Sequence, residues 1–128
     1  MSLRKSKQLL LIFVGLIILG LTLFEVANYY SGKAVSSNRE GLVGDLDNLG
    51  IIARQFYKRP ASELGGGNSF SGWTIPSRFD TTPNGIYKAT VLLQDIRIIG
   101  TGYESNGGRP IVHEAIITPT GVTIVEKN

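Results

Sequence analysis

The sequence predicts an α+β protein, a long N-terminal α-helix packed against a small antiparallel β-sheet of about four strands. Three observations carry that prediction. Residues 9–24 read LLLIFVGLIILGLTLF, sixteen positions without a charge. Apolar residues continue at helical spacing beyond this run, and no proline intervenes before Pro60. Past Pro60 the chain changes to short runs of β-forming residues separated by turn signals.

The chain has 128 residues, which argues for one modest core outside the apolar segment. Its formal charge is +3, but Arg4, Lys5 and Lys7 account for all of it. The remaining ten Lys/Arg balance the ten Asp/Glu. A nucleic-acid binder needs a basic face on its folded part, so no nucleic-acid partner is expected. The basic cluster instead forms a leader, residues 1–7, directly before an apolar run. There it reads as a topology signal that keeps the leader cytoplasmic and sends the rest outward.

At 1.5 Å per residue the sixteen apolar residues span roughly 24 Å, a little short of a hydrocarbon core of ~30 Å. Gln8 at one end and Glu25, Val26 and Ala27 at the other extend it, giving residues 8–27 as a transmembrane or filament-core segment. Three readings of the segment stand side by side. It is a cleaved secretory signal, a permanent membrane anchor, or an anchor that later becomes the packed core of a filament. The signal reading has a fitting charged start, but its small-x-small site, Gly32-Lys33-Ala34, lies far downstream. The side chains that such a core would pack are Leu9, Leu10, Ile12, Phe13, Leu16, Ile17, Leu19, Leu23 and Phe24. Glu25 is the acidic residue beside the run. It either faces water at the interface or pairs with Lys7 or a neighbour's amine and sets register during assembly.

Residues 28–58 continue the helix as an amphipathic stretch. Leu42, Leu46, Leu49 and Phe56 fall at i, i+4, i+7 and i+14, and Ile52 joins the same face. These five are the predicted helix–sheet core. Gly32 is the expected bend or melted point, and Arg59-Pro60 ends the helix because proline disfavours the α region for the residue before it. Residues 59–128 form the globular part. Residues 64–84 read as a loop pinned to the core by Phe70, Trp73, Ile75 and Phe79. Strands are expected at 85–93, 96–103, 110–118 and 122–125, with 104–108 as a loop, arranged as an antiparallel meander. The edge strand and the loop around Trp73 are candidate subunit contacts.

Catalytic chemistry is not visible. There is no cysteine and one histidine, His113, read as a surface or satisfied residue. No cofactor and no metal are expected, since thiolate and multi-histidine sites are excluded. Asp45 and Asp47 sit two apart on a helix, do not face each other, and read as a solvated face. Gly65-Gly66-Gly67 lacks the Lys-Ser/Thr of a phosphate loop. The chain is not expected to be an enzyme.

The layout resembles the type IV pilin superfamily: a short basic leader, an apolar N-terminal helix, its amphipathic continuation, a loop and a small antiparallel sheet. Gln8-Leu9-Leu10-Leu11-Ile12 resembles bacterial pilin-like proteins whose apolar helix opens with glutamines and leucines. Ser37-Asn38-Arg39, Asp45-Leu46-Asp47-Asn48-Leu49, Gln55-Phe56-Tyr57-Lys58, Gly65-Gly66-Gly67-Asn68-Ser69-Phe70 and Gly72-Trp73-Thr74-Ile75-Pro76 also look like that group. Ser6-Lys7 stands before Gln8 where pilin precursors carry Gly or Ala. The resemblance implies a pilin-like fold and a structural subunit that polymerises with itself into an extracellular filament on a prokaryotic cell surface. It also implies a single-pass stage in the cytoplasmic membrane and a pilus assembly machinery. The alternative is a membrane-anchored monomeric accessory or binding protein, such as a minor pseudopilin.

Overall fold

The computed structural model describes residues 3–128, with side chains described for residues 5–19 and 32–128. The chain forms two compact units, Met1–Ala34 and Val35–Asn128. Helix α1 spans Leu3–Lys58. It remains helical through Gly32, so the chain is not melted there. One glycine costs a helix about 1 kcal/mol relative to alanine but leaves helical φ and ψ open to it.

The helix ends before Pro60 as expected, and the following loop folds back onto its last turn. The amides of Gly66, Gly67 and Asn68 donate to the carbonyls of Phe56 (2.7 Å), Arg59 (2.9 Å) and Tyr57 (2.8 Å). Carbonyls that have no partner within a helix are thereby satisfied. The path requires positive φ at Leu64, Gly67 and Asn68. The stretch expected to be plain loop also holds a short helix, α2 (Ser77–Asp80), and a 3₁₀ turn at Ala61–Glu63 lies just before it. Pro60 and Pro76 occupy the position before each turn, where a fixed φ is an advantage and no amide is missed.

Four strands follow, β1 (Gly85–Val91), β2 (Ile96–Asn106), β3 (Arg109–Thr118) and β4 (Gly121–Glu126). They make one antiparallel meander in the order β1-β2-β3-β4. The expected loop at 104–108 is instead the end of a tight hairpin. Gly107 and Gly108 take φ of 62° and 80°, the backbone that a two-residue turn between twisted strands requires. Strands β2 and β3 therefore run up to the turn, with a register irregularity between Thr101 and Ser105.

The core of the second unit lies between α1 and one face of this sheet. Leu42, Leu46, Leu49 and Ala53 are fully buried, while Ile52 and Phe56 are partly buried against them. Ile96, Ile98, Ile111, Ala115 and Ile117 supply the sheet side, and Phe70 and Trp73 close it from the loop. Glycine floors one end of the contact. A Cβ at Gly85, Gly100 or Gly102 would meet the Leu42 side chain, and at Gly100 also the Tyr87 ring.

Leu46→Ala should lower the unfolding free energy by about 2–5 kcal/mol, the cost of an unfilled cavity. Gly100→Ala should cost about 1–3 kcal/mol by overpacking. Denaturant titration of the full chain checks both. A loss below about 0.5 kcal/mol at either site would contradict this packing.

Candidate assembly surface and polar clamp

In the first unit every described side chain from Lys5 to Leu19 is exposed. Of the predicted packing residues, Leu9, Leu10, Ile12, Phe13, Leu16, Ile17 and Leu19 present themselves to solvent, with Phe13 at 66% and Leu10 at 65% exposure. Leu11 and Val14, not singled out from the sequence, are exposed as well. Because these positions cover all phases of a 3.6-residue repeat, the apolar surface encircles the helix. The side chains of Leu23, Phe24 and Glu25 lie outside the described residues. Among the described residues no helix is long and apolar enough to cross a membrane.

The second unit carries a polar arrangement that the sequence reading missed. The strand registers align Tyr87, Gly100, His113 and Glu126 as one row across the sheet, from β1 to β4. Helix α1 grips both ends of this row. At the β1 end Asp45 Oδ2 accepts hydrogen bonds from the hydroxyls of Tyr87 (2.5 Å) and Thr82 (2.7 Å) and from Asn84 Nδ2 (3.0 Å). Asp45 is thus a half-buried hub and not the solvated face expected from its helical position. Burial pushes the Tyr87 hydroxyl well above its ordinary pKa, and donation to Asp45 adds to the shift. Two turns earlier Asn38 donates to the Asn84 carbonyl (2.6 Å) and accepts from the Glu104 amide (3.2 Å). At the β4 end Arg39 meets Glu126 at 3.1 Å.

His113 lies between these anchors, 6% exposed, and its Nδ1 has no hydrogen-bond partner. It is neither the surface residue nor the satisfied one expected. Burial holds its pKa below the usual imidazole value; Glu126 works against this and Arg39 reinforces it. On the opposite face Glu114 sits between Arg97 (3.6 Å) and Lys127 (3.7 Å).

A groove of about 580 Å³ runs beside β1, lined in part by Trp73, Ile75, Asp80 and Lys88. Trp73 is only 5% exposed, so it belongs to the core and offers no ring for anchoring a neighbour. Among the described residues no three His, Cys, Asp or Glu side chains gather closely enough to hold a metal ion. The hydrogen bonds of the hub at Asp45 join elements to one another. The arrangement does mechanical work, locking α1 and the 82–84 segment to the sheet.

No protein-family model matches this chain, and comparison with curated proteins and with solved structures finds no match.

Tyr87→Phe should cost about 1.5 kcal/mol, one charge-assisted hydrogen bond, because Thr82 and Asn84 still satisfy Asp45. Asp45→Ala leaves three donors without their acceptor and should cost about 3 kcal/mol. Thermal melts of the two variants rank them, and equal losses would show that the three donors do not converge on one carboxylate.

Proposed function

We propose that this chain is the structural subunit of an extracellular, type IV pilin-like filament, polymerising with itself through its apolar N-terminal helix. The observation that carries the reading is the apolar surface of residues 9–19, exposed on every side of α1. Such a surface is insoluble unless lipid or other apolar helices cover it. One partner helix covers one stripe, so a surface that encircles the helix calls for several neighbours at once. Contacts between different faces of like subunits generate a helical polymer where the rotation between them does not close a ring. A long N-terminal helix joined to a small antiparallel sheet is the pilin-like design that suits this role.

Before assembly the subunit sits in the cytoplasmic membrane, with Arg4, Lys5 and Lys7 on the cytoplasmic side and residues 28–128 outside. An assembly machinery extracts it and adds it to the growing filament on a prokaryotic cell surface. No catalysis is proposed, and the partners are other copies, the membrane and that machinery. Glu25 sets register in the packed helices by pairing with Lys7 or with the terminal amine of a neighbour.

Electron microscopy of material sheared from expressing cells, with mass spectrometry of the N-terminus, tests the reading. Thin filaments containing this chain are expected. A monomer confined to the membrane fraction would replace the reading with that of an anchored accessory protein. Phe13→Asp should reduce filaments at least tenfold while the thermal transition of the sheet-bearing unit stays within about 2 °C, because an exposed position bears no load in the fold. Glu25→Ala should lower filament yield, and an unchanged yield removes the register role.

A further inference from the structure

We propose that Arg39, His113 and Glu126 form an acid-released clamp between α1 and the β4 edge of the sheet: when His113 takes up a proton, Glu126 turns from Arg39 to the imidazolium and Arg39 is released to solvent. The inference is independent of whether the chain polymerises.

The geometry has four parts. Arg39 and Glu126 join the helix to the last strand at 3.1 Å. His113 and Glu126 are register partners on neighbouring strands, so the imidazole lies beside the carboxylate that Arg39 holds. His113 Nδ1 and Arg39 Nε are both buried without a partner, so the closed clamp leaves bonding capacity unused at its centre. Finally, the Arg39 and Glu126 side chains are 32% and 50% exposed, which gives each room to turn.

The groups that face His113 are Arg39 from α1 and Glu126 from β4, while β2 presents Gly100, which has no side chain. Protonation places a second cation, on a buried imidazole, beside Arg39. Repulsion from Arg39 and attraction to Glu126 then act in the same direction. The carboxylate moves to the partner within the sheet, and the tie to the helix opens. The link lost is the one at the β4 end of the row, whereas Asp45 still holds Tyr87, Thr82 and Asn84 at the β1 end. The opening is therefore local.

The direction with pH follows from burial, which lowers the histidine's pKa in the closed clamp below its ordinary value of 6.5. The closed clamp is therefore favoured while His113 is neutral and loses population to the open form as the pH falls.

Amide hydrogen exchange on the full chain in detergent micelles reads this directly. Between pH 7.5 and 5.5, protection at Arg39 and Lys127 should fall relative to Ile98 and Ile117, whose side chains lie in the core. His113→Phe should abolish the fall. A titration of wild type by nuclear magnetic resonance, which needs no variant to fold, should give one midpoint for the His113 ring and the Arg39 Nε–H signal. Unchanged protection in wild type, an equal fall in His113→Phe, a fall shared by Ile98 and Ile117, or separate midpoints would each overturn the clamp.

Discussion

Everything in the sheet-bearing unit depends on how closely α1 approaches the sheet. Leu42, Leu46, Leu49 and Ala53 are fully buried there, and the approach at Leu42 is closer than side chains on the facing strands would allow. Gly85 and Gly102 remove those side chains, and on the helix Gly41 and Gly50 do the same for Asn84 and Val122. Glycine weakens both helices and strands, so its use on both sides of one interface trades intrinsic propensity for contact. That trade is sound only if the helix is held in place, because a closely seated helix that shifts loses many contacts together.

Polar side chains hold it. Asp45 and Asn38 bind the chain around the start of β1, and Arg39 binds Glu126 at the far edge of the sheet. The two ends differ in chemistry. At Asp45 three donors converge on one carboxylate oxygen, and a half-buried charge met this way is both satisfied and directional. At Arg39 the pair is partly exposed and has beside it a buried imidazole whose Nδ1 has no partner. A surface ion pair contributes little by itself, so the second end is the weaker of the two. The fold thus combines a permanent fastening at β1 with a conditional one at β4.

The two units solve opposite solvation problems. In the second, apolar side chains find partners within the chain. In the first, the apolar side chains described between Leu9 and Leu19 are exposed. An isolated helix of this composition is at equilibrium with water only at great cost, so its stable state involves other molecules. This contrast is the ground for the self-associating role proposed above.

Much of the fold was legible in the sequence because it rests on local and periodic signals. The helical stripe of Leu42, Leu46 and Leu49, the stop at Pro60 and the four strands follow from spacing and turn chemistry. The hairpin at Gly107-Gly108 was missed because Glu104-Ser105-Asn106-Gly107-Gly108 has loop composition throughout, and strand pairing overrode propensity at its first three positions. Asp45 and His113 were misread for a different reason. Periodicity tells which face a residue occupies, but not what will stand opposite it. Asp45 meets Tyr87, forty-two positions away in the chain, and Arg39 meets Glu126. The sequence by itself therefore determined the elements, their order and the apolar character of the first helix. Only the tertiary structure decided which polar residues became anchors, because register and helix seating bring together groups that no local pattern relates.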